Sequence, residues 1–171
     1  MPALAAAALI VALGLVYFGL RAARVDPKPV TSSALGLSFA IPQGWKQATQ
    51  NAPQASNGRV ALGSPGAKRQ AMFITRYPLK RPVGSSKQAA KEARSWLLST
   101  GAKGNIKLEE HKLAGADGLQ AKFKAGGLTI QIQMLFKDRS SWQLSCQSLT
   151  GSAGASTRRA CKEILDSVSV Q

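Results

Sequence analysis

The chain is poor in the residues that carry most enzyme chemistry. Its 171 residues include one histidine and two cysteines. A zinc finger takes four Cys or His ligands, so none can be built, and a multi-histidine metal centre is excluded as well. Asp and Glu together number 8, and no stretch offers the clustered oxygen ligands of an EF-hand calcium loop. Aromatic residues make up 6%. The glycine-rich stretches match neither a P-loop nor a dinucleotide fingerprint. No metal, cofactor or internal repeat is expected.

What is present is positive charge and apolar content. There are 23 Lys and Arg, a formal net charge of +15 and 44% hydrophobic residues. The length fits one domain, and the hydrophobic share suffices for a packed core.

Residues 1–20 carry no charged side chain, and all but Pro2, Gly14 and Gly19 are apolar. Twenty helical residues rise roughly 30 Å, about the hydrocarbon thickness of a bilayer. Tyr17 and Phe18 fall where interfacial aromatics belong, and Arg21 and Arg24 end the run. The expectation is a single uncleaved membrane anchor over residues 1–24. A cleaved signal peptide is the alternative, but Arg21 occupies the −3 position of the site available. A buried core helix is a weaker reading, since an all-round apolar helix is rare in a soluble domain.

The positive-inside rule puts Arg21 and Arg24, and the domain with them, in the cytoplasm. A basic stretch upstream of Met1 would restore the opposite orientation, and the cysteines favour an extracytoplasmic domain. Arg21 and Arg24 are the only charges in 1–24, leaving 21 basic and 8 acidic residues, a net +13 on the rest.

Residues 25–34, with Pro27 and Pro29, read as an extended linker, and a domain is expected over 35–171. Alternating residues predict strands over 36–41, a short one from Trp45, then 59–63 and 69–77. Ser85 and Gln88 have capping-box spacing before a helix that runs to about Thr100. Its apolar stripe is Ala89, Ala93, Trp96 and Leu97. Four strands follow over 105–113, 119–125, 128–137 and 140–149, with Gly126-Gly127 and Asp138-Arg139 as hairpin turns. The alternation assigns Phe123, Ile132, Met134, Trp142, Leu144 and Cys146 to one buried face. Lys122, Lys124, Gln131, Gln133 and Gln143 then fall on an open, partly basic face. A last helix is expected over 157–168. The fold class is α+β, an antiparallel sheet with helices packed on it.

Cys146 ends the last strand on the buried parity, and Cys161 lies on the apolar side of the last helix. A helix docked on the sheet would join them as a disulfide, which implies an oxidising compartment. Two buried free thiols are the alternative.

No catalytic constellation stands out. His111 reads as an exposed strand histidine between Glu110 and Lys112. Pairing it with Cys146 or Cys161 as a nucleophile has no local support. Glu109 and Glu110 are adjacent in a strand and point to opposite faces, unlike a glycosidase pair. Only a deep pocket lined by Asp117, Glu109 or His111 would argue for an enzyme. The chain is therefore expected to be non-enzymatic.

The basic residues offer a contact surface. Lys87, Lys91 and Arg94 fall on the polar side of the first helix, and Lys80 and Arg81 lie in the Pro-bracketed loop before it. They form either a solvated face or an attractive surface for anionic lipid, wall polymer or protein. Lys122, Lys124, Gln131 and Gln133 are the second choice. Low aromatic content and the lack of a recognisable module argue against nucleic acid.

The stretch Leu35-Gly36-Leu37-Ser38-Phe39-Ala40-Ile41-Pro42-Gln43-Gly44-Trp45 resembles the opening strand and I-P-x-G-W turn of the PsbP-like/DcrB-like superfamily. Ile164-Leu165-Asp166-Ser167-Val168 is similar to its closing helix end. The resemblance implies an antiparallel sheet with packed helices and a mostly non-enzymatic family. That family includes photosystem extrinsic subunits, a Ran-binding import factor, envelope lipoproteins and secretion chaperones. No Cys follows the apolar segment for lipidation, and nothing points to photosystem or Ran binding. The implied function is a membrane-anchored extracytoplasmic binding or scaffold domain for a protein or an anionic envelope component. A cytosol-facing tethered adaptor or secretion chaperone is the alternative.

Overall fold

The computed structural model describes residues 27–47, 58–99 and 106–171. The expected anchor, residues 1–24, lies outside them. Among the described residues no helix is long and apolar enough to cross a membrane.

The strands are β1 (Lys28–Ser32), β2 (Leu37–Ile41), β3 (Lys46–Gln47), β4 (Arg59–Gly63) and β5 (Ala71–Pro78). Helix α1 (Ser86–Ser99) precedes β6 (Glu109–Leu113), β7 (Ala116–Ala125), β8 (Leu128–Lys137) and β9 (Ser140–Leu149). A 3-10 turn at Ser152–Gly154 leads into α2 (Ala155–Asp166), and β10 (Ser169–Val170) closes the chain. All strand pairs are antiparallel. Seven strands form one sheet in the order β3-β4-β5-β9-β8-β7-β6, and three form a second in the order β1-β2-β10.

Ordered structure begins before the expected Leu35. Within the stretch read as linker, β1 pairs with β2 from Lys28↔Ile41 to Ser32↔Leu37. Pro29 is tolerated because β1 is an edge strand. The last helix starts and ends two residues earlier than expected, and beyond it Ser169 and Val170 form a strand not expected from the sequence, pairing with Ser38 and Leu37.

The single buried face expected from the alternation is not what forms. The Asp138-Arg139 turn pairs Lys137 with Ser140. A two-residue turn sets even positions of one strand opposite odd positions of the next. Ile132 therefore opposes Ser145, and Met134 opposes Gln143. Across Gly126-Gly127 the same rule joins Ala121 to Ile132 and Phe123 to Ile130. The apolar stripes of β7 and β8 thus lie on one side of the sheet, and those of β5 and β9 on the other.

Each side has its own core. Ala89, Ala93 and Leu97 of α1 pack on Leu119, Ala121, Ile132 and Met134. Cys161, Ile164 and Leu165 of α2, with Leu37 and Phe39 of the small sheet, pack on Leu62, Met72, Ile74 and Leu144. Cys146 and Cys161 are joined as a disulfide within this second core, with Cα atoms 6.0 Å apart. Each fully buried aliphatic side chain contributes about 1.5–3 kcal/mol.

Both sequence motifs have structural explanations. In the Pro42–Trp45 turn the Trp45 N–H donates to the Pro42 carbonyl at 3.1 Å, and Gly44 has φ +77°. That φ at the third turn position favours glycine. Trp45 is half-buried against the core, a packing role. At the other end, Ser167 Oγ donates to Ile164 O at 2.7 Å and accepts from the Ala40 N–H at 2.8 Å, tying α2 to the small sheet.

Trp142 joins the two sheets. Its Nε1–H donates to the Leu35 carbonyl at 2.6 Å, in a buried bond. The Arg76 guanidinium lies 5.6 Å over the Trp142 ring and donates twice to Ser140 Oγ. Replacing Trp142 with Phe leaves the Leu35 carbonyl without its donor. The expected cost is about 1–2 kcal/mol, read as a lower urea midpoint with an unchanged slope.

Candidate functional site

Helix α1 is set by its first turn. Ser85 Oγ accepts the Gln88 N–H at 3.3 Å, and Gln88 Oε1 accepts the Gly84 N–H at 2.9 Å. The Gln88 side chain thus reaches one residue further back than in a standard capping box. With Ala89, Ala93 and Leu97 on the sheet, Lys87, Lys91 and Arg94 are exposed, as are Lys80 and Arg81. Among the described residues none of these five cations takes part in an ion pair. Glu92 is an exposed acid on the same helix.

The second expected surface is altered by the strand phase. Lys122 and Lys124 are exposed, Gln131 is half-buried and Gln133 is buried, its Oε1 without a hydrogen-bond partner among the described residues. These four stand on the side of Leu144 and Cys146. Gln143, Ser145 and Gln147, expected beside them, lie on the α1 side instead. The continuous polar sheet face therefore does not exist.

A concavity of about 920 Å³ includes Glu110, His111 and Asp117 together with Ser85 and Ser86. It does not assemble a catalytic set. Asp117 is almost fully exposed and stands 3.6 Å from Lys112 Nζ, and Ser85 Oγ is engaged in capping α1. Glu109 and His111 share one side of β6, and Glu110 is on the other. Hydrogen bonding from Lys107, its charge, and a bond from Gln120 hold the exposed Glu109 carboxyl below its usual range, slightly opposed by desolvation. A carboxylate kept ionised in this way suits an ion pair rather than a general acid. Among the described residues no group of three or more His, Cys, Asp or Glu could hold a metal ion.

A second concavity of about 610 Å³ opens on the α1 side of β4, β5 and β9. Its lining includes Arg59, Phe73, Trp96 and Phe123 over a floor of Gln143 and Ser145. Reading the residues one strand at a time missed it. The two-residue hairpin turns, which fix the even–odd pairing, are the signal that reveals it.

These elements define an α+β domain, an antiparallel sheet with a helix packed on each side. No protein-family model and no curated protein matches the chain. Solved structures match its fold. Cyanobacterial PsbP from Synechocystis sp. PCC 6803 aligns with TM-score 0.58 and 7% identity, over 86% of this chain and 94% of its own. The Ran-binding protein Mog1p of Saccharomyces cerevisiae aligns with TM-score 0.55 and 10% identity, over 85% and 95%. LpqN of Mycobacterium tuberculosis, described as involved in cell envelope biogenesis, aligns with TM-score 0.50 and 13% identity, over 87% and 92%. The chain also covers about half, 49%, of a Bacteroides thetaiotaomicron VPI-5482 structure at TM-score 0.58 and 12% identity.

Proposed function

We propose that the protein is a membrane-anchored, non-enzymatic, extracytoplasmic domain that holds a protein or an anionic envelope component against its basic surface. The observation that carries this reading is the buried Cys146–Cys161 disulfide, a bond that persists in oxidising compartments. The fold shared with LpqN agrees with an envelope role, and the fold shared with Mog1p, a Ran-binding protein, is in keeping with a protein partner. The five exposed cations on and before α1 supply the attraction. An anchor over residues 1–24 would keep the domain at the membrane. The opposite orientation, a cytosol-facing adaptor or secretion chaperone, is favoured by Arg21 and Arg24. Cysteine-accessibility mapping of single-cysteine variants in the flanking loops separates the two orientations.

Reversing Lys80, Arg81, Lys87, Lys91 and Arg94 to Glu is expected to abolish retention of the domain on isolated envelopes at low salt. The native chain should be released in 1 M salt, where the Debye length is about 3 Å. Retention that ignores both charge reversal and salt would exclude this surface as the contact.

A further inference from the structure

We propose that the groove on the α1 side of the seven-stranded sheet binds a carboxylated saccharide, with Arg59 taking the carboxylate and Gln143 a sugar hydroxyl. The site is separate from the basic face of α1. Its volume, about 610 Å³, falls in the range of small-molecule sites. The charged side chain that faces it is the cation Arg59, since Lys124 lines it from a strand position whose side chain points to the opposite face, and among the described residues no carboxylate lines it. That asks for an anion.

The floor and walls narrow the class. Gln143, Ser145 and Gln147 stand at alternate positions of β9 and present amides and a hydroxyl on the same side. Phe73, Trp96 and Phe123 supply flat apolar surfaces around them. A sugar ring meets both demands, laying its C–H face on a ring and its hydroxyls on the amides. An acyl chain would desolvate the polar floor without pairing it.

Two atoms in the groove lack hydrogen-bond partners among the described residues. Gln143 is only 6% exposed, and its Oε1 has no hydrogen-bond partner. Arg59 Nε is likewise buried and unpaired, while its guanidinium sits 5.1 Å over the Phe73 ring. An unpaired buried acceptor and donor destabilise a fold, and a ligand bearing O–H and carboxylate groups would satisfy both as the two side chains adjust to it. The cation–π contact holds Arg59 in place before the ligand arrives.

The test is titration calorimetry on the full chain with tri-galacturonate, maltotriose and phosphatidylglycerol vesicles as probes. Saturable binding of tri-galacturonate is expected, with maltotriose at least about tenfold weaker. Arg59→Gln should lose about tenfold in affinity, whereas Arg81→Glu on the basic face should lose less than about twofold. Gln143→Met should also weaken binding about tenfold, while its Tm stays level or rises by about 2–4 °C as the orphan acceptor is removed. The proposal is overturned by no saturable binding, by equal binding of maltotriose, or by binding of the vesicles alone. It is also overturned if Arg81→Glu matches Arg59→Gln, or if Gln143→Met lowers Tm and leaves affinity intact. None of these outcomes bears on envelope retention by the basic face, so the two readings fail separately.

Discussion

Breaking the Cys146–Cys161 disulfide is expected to cost about 3 kcal/mol of folding stability and to lower Tm by roughly 6–12 °C. The bond closes a loop of sequence separation 15 between β9 and α2. In the chain-entropy account, that closure removes freedom from the unfolded chain. Both cysteines are buried in the core where Ile164 and Leu165 of α2 meet Leu144 and Met72. A soluble reductant therefore reaches the bond mainly after local opening, and reduction should be slow without denaturant. The measurement is a pair of urea melts, one of the native chain and one of a Cys146→Ala/Cys161→Ala variant, which avoids reactive thiols. Equal midpoints would show that the loop is held by packing alone. Native material in which both thiols are alkylated without reductant would remove the main support for an extracytoplasmic domain.

Replacing Gly154 with Ala is expected to destabilise by about 3 kcal/mol, the upper end of the overpacking range. Gly154 precedes α2, and a Cβ there would collide with the Leu149 carbonyl and lie 2.6 Å from Arg158 Nη1. The space is tight because the connection is clamped. Arg158 donates to the carbonyls of Leu149 at 2.9 Å and Gly151 at 2.6 Å. Gln70 Oε1 accepts from Thr157 Oγ1 at 2.9 Å and from the Leu149 N–H at 3.3 Å. Relieving the clash would loosen these bonds and shift α2, and Cys161 with it. The collision is with backbone, which cannot rotate away. A native-like melt for Gly154→Ala would show that the clamp yields cheaply. The neighbouring exposed Ala153→Gly serves as a control, with an expected effect of about 1 kcal/mol or less.

Most strands were legible because each alternates within itself. The Gly126-Gly127 hairpin was readable too, with φ +55° and +78°, values that favour a glycine pair. The helices were readable from Ser85, Gln88 and the spacing of Ala89, Ala93 and Leu97. Small elements were not: β1 hides behind Pro29, and β10 is two residues long. Their stability comes from pairing with β2, a partner distant in sequence for β10. The basic residues of α1 were legible as a stripe because helical spacing is local. The groove was not, because Arg59, Phe73, Phe123 and Gln143 come from four strands.

By itself the sequence determined the apolar first twenty residues, the excess of positive charge, the longer strands and the two helices along the chain, and the poverty of catalytic groups. These follow from composition and local periodicity, which need no partner. Only the tertiary structure decided which side of the sheet each stripe faces. It thereby turned Gln143 toward α1 with its Oε1 unpaired among the described residues, whereas the Cys146–Cys161 pairing was already expected from the buried parity of Cys146 and the apolar side of the last helix. The reason is physical: alternation along a strand is intrinsic to the extended backbone, but the phase between strands is set by the turn and the hydrogen-bonded register. One residue of phase moves every side chain to the opposite side.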